Sequence, residues 1–284
     1  MLFSQPIFAA WDHILVIVME NTGYSAIIGN TTDAPYINKK LLPQGVLYSR
    51  SFGVAHPSLP NYLALFSGDI QEDPNHKSDH CVDNNNGPFN APNLYHSLVQ
   101  AGKTVKGFFE TLDPNDPMAC DTSSPAGDGW YVQKHNPFAY FTSGGRYNVP
   151  TNAWQPYVAS RTTWPNLAFI IPNIPNDMHV YDISPGVPAS LSKRIQNGDN
   201  WLAQNLPGLI SYCKTNNGLI ILTMDESEGT SDQHIPTILL GARVAAGKVS
   251  TQPINHYNIT RTITSNFGVS AIGECVGRDT LRLP

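Results

Sequence analysis

A chain of 284 residues that is 41% hydrophobic and 14% charged has the apolar material for one sizeable α/β core, and nothing in it demands two. With a net charge of -5 at neutral pH and no basic run or stripe, neither nucleic-acid binding nor docking on an anionic membrane has electrostatic support. No apolar run approaches the roughly 20 residues that span a bilayer, so no transmembrane helix is expected.

Residues 1–10 carry a small apolar cluster but no basic start and no full hydrophobic stretch. They read as an N-terminal extension or leader remnant ahead of a single domain over 11–284. Ile14–Val18 is a β-branched run that predicts a strand buried on both faces, as in a parallel sheet. Glu20 and Asn21 follow at once, where open α/β sheets place their ligands, although a helix-start Glu with a capping Asn has the same local look. Val46–Phe52 predicts a second strand. After it, His56-Pro57-Ser58-Leu59-Pro60-Asn61-Tyr62 reads as a strand–turn–helix junction with Pro60 in the first helical turn. Ser58 sits where the helix amides emerge. It either caps the helix or faces outward as a nucleophile beside an anion site.

A helix is predicted over Asn93–Ala101, with Leu94, Leu98 and Val99 on one face, and a strand over Thr104–Phe109. Turn-rich stretches at 69–92 and 111–130 flank them, holding Cys81 and Cys120 one in each. Four cysteines allow three pairings. Thiols in such polar loops point to an oxidising compartment, and the expected pairs are Cys81 with Cys120 and Cys213 with Cys275. No Cys/His spacing suggests zinc. Lys134-His135-Asn136-Pro137 comes next, where His135 taken alone is an ordinary surface residue. Leu167–Ile171 predicts a buried strand that runs into Asn176-Asp177-Met178-His179.

Helices are predicted over Ser190–Leu206, with Leu191, Ile195, Trp201, Leu202 and Leu206 apolar, and over Pro207–Lys214. Gly218–Met224 is the clearest central strand, and Asp225-Glu226 follows directly. Two adjacent acids at the end of an apolar strand are costly unless a positive charge compensates them or the loop is solvated. Pro236–Gly241 predicts a further strand, and Asn255 leads into an amphipathic helix through Phe267. His76 and His234 read as loop residues without a role. Two glycosylation sequons begin at Asn30 and Asn258.

Four polar clusters thus each follow a buried strand: Glu20/Asn21, Ser58 with Asn61, Asp177/His179 and Asp225/Glu226. Their shared placement describes a metal-assisted site at one edge of a mostly parallel sheet, with a hydroxyl nucleophile and imidazoles nearby. Carboxylates, an amide oxygen and a hydroxyl favour one hard divalent cation of the Ca, Mg or Mn class.

Taken in order, Val16-Ile17-Val18-Met19-Glu20-Asn21, the His56–Tyr62 motif, Lys134-His135-Asn136-Pro137, Pro172-Asn173 with Asn176-Asp177-Met178-His179, and Asp225-Glu226 with Gly229 resemble a known family. It is the phosphoesterase family of secreted acid phosphatases, phosphatidylinositol-phosphate phosphatases and phospholipase C enzymes. The resemblance runs from about Trp11 to Phe267. It implies an α/β fold of alkaline phosphatase type, a mostly parallel central sheet with helices on both faces. It places the metal ligands on Glu20, Asn21, Ser58, Asp225 and Glu226, and the nucleophile on Ser58. Asn61 falls on a phosphate-binding amide, and His135 and His179 on imidazoles that contact the phosphoryl group or protonate the leaving oxygen. His56, Lys134 and Asp177 join the substrate-binding set.

The implied activity is a secreted or periplasmic phosphomonoesterase acting on a phosphate ester, a phosphoinositide or other lipid headgroup among the candidates. A phospholipase C-type phosphodiesterase is the alternative within enzymes. A non-catalytic secreted protein is the alternative outside them, binding calcium through the acidic loops and sugars through Trp130, Tyr131, Tyr140, Trp154, Tyr157 and Trp164.

Overall fold

Two strands of unbroken apolar sequence form the centre of the sheet. β1 (His13–Met19) and β8 (Gly218–Met224) lie side by side in parallel, in register from His13 opposite Gly218 to Met19 opposite Met224. A computed structural model gives the fold. It describes residues 10–71, 80–82, 87–113, 116, 118–123, 130–142, 151–154, 163–179, 189–228 and 232–284.

The remaining strands in chain order are β2 (Val46–Phe52), β3 (Val105–Glu110), β4 (Asp121–Ser123), β5 (Trp130–Val132), β6 (Thr151–Trp154), β7 (Leu167–Ile171), β9 (His234–Gly241), β10 (Lys248–Ser250) and β11 (Ile254–Asn255). The main sheet runs β10-β2-β9-β8-β1-β7-β3-β6, with β11 paired to β2, while β4 and β5 form a separate antiparallel pair. Only β9 runs against its neighbours in the main sheet, so β1, β2, β3, β7 and β8 all end at one edge. This is the mostly parallel α/β sheet expected from the β-branched runs.

The helices are α1 (Tyr24–Ile27), α2 (Ser58–Ser67), α3 (Leu94–Gln100), α4 (Leu191–Thr215) and α5 (His256–Asn266). Side chains alternate across a strand, and β1 divides accordingly. Ile14, Val16 and Val18 pack with Leu59, Tyr62, Leu63 and Phe66 of α2 and Ile259 and Ile263 of α5. Leu15, Ile17 and Met19 pack with Ile195, Leu202, Leu206 and Leu209 of α4 on the opposite face.

Several expectations are corrected. The two helices expected on either side of Pro207 are one, α4, because the apolar stripe from Ile195 to Cys213 stays in phase across the proline. Burial of that stripe outweighs an interior-proline cost of about 3 kcal/mol. Leu191 and Val99, expected inward, are each 44% exposed at helix ends. His234 opens β9 rather than sitting in a loop. His76 lies outside the described residues, as does all of 1–9.

Cys81 and Cys120 are bonded, with Cα atoms 5.4 Å apart. Cys213 and Cys275 are not, and the reason is topological. Cys213 is buried on the sheet-facing side of α4, on one face of the sheet, whereas Cys275 packs with Ala64 and Tyr257 on the α2/α5 face. Tyr131, Tyr140 and Trp164, which the non-catalytic alternative would use for sugars, are core residues no more than 5% exposed. The side chains of Trp130, Trp154 and Tyr157 lie outside the described residues. Asn258 of the second sequon is buried at the start of α5, where its side chain accepts from the Asn255 amide in a capping box.

Candidate active site

Glu20 is the hub of the polar edge. It follows β1 directly, is fully buried, and its amide donates to the Asp177 carbonyl at 2.7 Å. Its two carboxyl oxygens face different neighbours. Oε1 accepts from the Tyr62 hydroxyl at 2.8 Å and lies 3.2 Å from His135 Nε2. Oε2 accepts from Ser58 Oγ at 3.1 Å and from Asn21 Nδ2 at 3.3 Å, and lies 3.4 Å from His179 Nδ1. Asn21 turns the chain away from β1 with φ 48°, and its side-chain Nδ2 is 3.0 Å from His179 Nε2.

Ser58 is the first residue of α2, and its hydroxyl does not cap the helix. Pro57 is the N-cap and makes no side-chain cap bond. Ser58 Oγ instead has two carboxylates as acceptors, Glu20 Oε2 and, at 3.2 Å, Glu226 Oε1. Four residues on, Tyr62 falls on the same helical face, which is why both hydroxyls reach Glu20. Asn61 is spent on the turn before the helix. Its Oδ1 accepts from the amides of Val54 and Ala55, and its Nδ2 donates to the carbonyls of Ala55 and Pro57. Asn61 therefore shapes the 54–58 turn with both its amide oxygen and its amide nitrogen.

Asp225 and Glu226 follow β8. The Asp225 amide donates to Met19 across the central strand pair, and Asp225 Oδ1 accepts from the amides of Asn21 (2.9 Å) and Glu226 (2.6 Å). Its Oδ2 has no hydrogen-bond partner among the described residues. Glu226 reaches outward through Oε2 to His56 Nδ1 at 2.5 Å, and the His56 side chain is 59% exposed at the mouth of the site. His256, unassigned in the sequence, opens α5 fully buried, with Nε2 2.5 Å from the Asp225 carbonyl.

The imidazoles differ in setting. His135 ends a short 3-10 turn that also carries Lys134, is stacked on Tyr62 at 5.0 Å and is buried between Glu20 and Asp177 Oδ2, 3.7 Å away. His179 leaves the turn after β7, is more open, and donates its amide to Asp177 Oδ1 at 2.8 Å. Glu110, at the end of β3, accepts from the Asn173 amide and the Asn176 side chain and so ties down that same turn.

Burial sets the electrostatics. It raises the Glu20, Asp177 and Asp225 carboxyls above their ordinary range, well above it for the first two, and the mutual repulsion of the acids adds to this at Glu20 and Asp177. Lys134 pulls Glu20 and Asp177 the other way. Burial also drives His135 well below its usual value and His256 to about 4, so both are neutral near neutral pH. Four fully buried acids (Glu20, Asp177, Asp225, Glu226) thus share one pocket with neutral imidazoles. Carboxylates so placed need a counter-charge. Together with the Asp225 Oδ2 that has no hydrogen-bond partner among the described residues, this suits a bound divalent cation. Among the described residues, the ligand atoms that converge are one each from Glu20, His135 and His179, within 4.8 Å of one another.

The sequence analysis missed Tyr62, Glu110 and His256. Tyr62 stood inside the quoted motif, four residues from Ser58, and that spacing was the available signal. Glu110 ends β3 and His256 follows the two-residue β11, strands whose membership of this edge only the topology shows.

A sequence model of the Phosphoesterase family matches residues 32–270. The chain is 35% identical to the phosphatidylinositol-3-phosphatase of Mycobacterium tuberculosis over 278 residues, covering 95% of this chain and 80% of that one. It is 26% identical to the phosphate-repressible acid phosphatase of Penicillium chrysogenum, covering 93% of this chain but 61% of the fungal protein. In fold it resembles a protein in the alkaline phosphatase superfamily from Vibrio parahaemolyticus, with a TM-score of 0.65 at 12% identity over 95% of this chain and 69% of that one.

Proposed function

The chain belongs to the Phosphoesterase family of phosphoric ester hydrolases, and from that premise we propose that it is a secreted, metal-dependent phosphomonoesterase of acid phosphatase type. In this reading Ser58 is the nucleophile and a phosphoserine the intermediate. One observation carries it: the Ser58 hydroxyl is aimed at two buried carboxylates rather than at its own helix.

Ser58 Oγ attacks phosphorus in line as its proton passes to Glu226 Oε1, one of its two carboxylate acceptors. The O–P bond to the alcohol breaks, and His179, the more exposed imidazole, gives the leaving oxygen a proton. Water then cleaves the phosphoserine, restoring the hydroxyl and releasing phosphate. The phosphoryl oxygens meet the α2 N-terminus, in the turn that Asn61 holds, and the charge of Lys134. His135, neutral and wedged between Glu20 and Asp177, orients the hub, and His56 lines the mouth. When bound, a divalent cation on Glu20, Asn21, Ser58, Asp225 and Glu226 would neutralise the pocket and lower the pKa of the hydroxyl. The overlapping Glu20/His135/His179 set supports a second placement, whose two nitrogens suit zinc. Loss of retained metal on Asp225→Asn supports the oxygen cage, and loss on His135→Ala supports the nitrogen set.

The name of the mycobacterial relative makes a phosphoinositide monoester the first natural substrate to test. The disulfide supports secretion, and among the described residues no helix is long and apolar enough to cross a membrane.

The decisive experiment is acid quench during turnover of an aryl phosphate, followed by peptide mapping. Phosphate should be found on the peptide containing Ser58, and Ser58→Ala should lower kcat by several orders of magnitude while staying folded. A folded Ser58→Ala enzyme with near-normal kcat overturns the reading. Turnover of a choline diester above that of the monoester would return the assignment to a phosphodiesterase.

A further inference from the structure

We infer that Arg194 is a positioning residue for His179, clamping the turn that carries the imidazole and linking it to the acidic turn after β8. Arg194 lies in the first third of α4 and is only 8% exposed. Its Nη1 donates to the His179 carbonyl, and its Nη2 bonds Glu228 Oε2 at 2.8 Å. A buried guanidinium needs acceptors, and these two come from the two turns that build the site. The planar fork spans them both, as a lysine could not.

A second observation on the same helix face agrees. Gly198, four residues on, meets the residue before His179: a Cβ there would lie 2.3 Å from Met178 Cγ. Met178 itself holds φ 82°. The helix therefore meets the 177–179 turn twice, once through the guanidinium and once where Gly198 packs tightly against the Met178 side chain. The contacts of His179 with Glu20 Oε2 and Asn21 Nδ2 orient its ring. Arg194 and Gly198 locate the backbone from which that ring projects. Arg194 touches no reacting atom, so its effect on the reaction passes through His179.

This inference rests on His179 as proton donor to the leaving oxygen, and a pair of monoesters tests it. Loss of a general acid penalises a poor leaving group far more than a good one, whereas general loosening lowers both alike. Arg194→Met should reduce kcat on phenyl phosphate about 100-fold and on p-nitrophenyl phosphate by less than about tenfold, with KM little changed. Gly198→Ala should show the same asymmetry. Added to His179→Ala, Arg194→Met should cost nothing further, because the two act through one group. An equal fall on both esters, or additivity with His179→Ala, overturns the inference. Should Arg194→Met fail to fold by circular dichroism, Arg194→Lys and Glu228→Ala decide by the same comparison, since each removes one bond of the clamp. If Ser58→Ala remains active, the reading of the site fails and this inference fails with it. If Ser58→Ala is inactive but Arg194→Met falls evenly on both esters, the clamp alone is wrong.

Discussion

At the scale of single residues, the site is a contest over Glu20. Tyr62, whose phenol burial and the surrounding acids hold well above its ordinary pKa, keeps its proton and acts only as a donor. Tyr62→Phe leaves Glu20 Oε1 without that donor, and should cost about 1–3 kcal/mol in urea denaturation. Turnover should also fall, since the hub of the pocket is no longer held; unchanged stability and rate would show the bond to be idle. Asp225→Asn should have opposite effects on two forms of the protein. It removes a buried negative charge whose Oδ2 has no hydrogen-bond partner among the described residues, so metal-stripped protein should melt higher than wild type. Metal-loaded protein should melt lower, because one charge of the cage is gone while its shape is kept. Thermal melts with and without chelator test both signs at once. The ends of the strands were legible at this scale because Glu20 and Asn21, and Asp225 and Glu226, directly follow apolar runs. Arg194 and His256 were not, since a charged residue in an amphipathic helix and a helix-initial histidine read as surface and cap until the packing shows them buried.

At the scale of elements, apolar periodicity located the strands and misjudged whatever depended on a partner. Ile14–Val18 and Gly218–Met224 could be read as buried on both faces from composition alone, and they are. Pro207 was read as a break because the rule is local, whereas the stripe that overrides it extends over most of α4. The cysteines make the same point. Loop position paired Cys81 with Cys120, but whether Cys213 and Cys275 face each other depends on which side of the sheet each helix packs. Burial also pushes their thiols up to about 12 and about 11. The native protein should therefore resist alkylation at both and label at both once unfolded without reductant. A non-reducing peptide map should contain the Cys81–Cys120 link and no other; rapid labelling of native protein would refute the buried placement.

At the scale of the whole molecule, the pocket ties stability to pH. In metal-free protein, burial holds the Glu20, Asp177 and Asp225 protons above the ordinary values of 4.5, 3.8 and 3.8, where the unfolded chain releases them. The fold then binds more protons than the unfolded chain, and stability falls as pH rises through that window. His135 and His256 have the opposite slope. Neutral in the fold, they take up protons in the unfolded chain below 6.5, so their share of stability is lost as pH falls under that value. Above it the histidines no longer contribute and the carboxyl slope stands alone. As pH rises above the ordinary carboxylate range, the denaturation midpoint of stripped protein should fall relative to that of metal-loaded protein; a gap between the two forms that does not widen with pH would contradict the buried charges.

The disulfide has a consequence of a different kind. Cys120 offers its carbonyl to the Gln133 amide, and the Gln133 side chain holds the amide of Val82 and the carbonyls of Met118 and Ala119. His135 is two residues further along that same turn. The cross-link spans 39 residues and is worth about 4 kcal/mol in the chain-entropy account. The choice of expression host is therefore part of the chemistry: chain made in a reducing cytosol would carry every residue of the pocket yet leave His135 slack, and such a batch could be mistaken for an inactive protein.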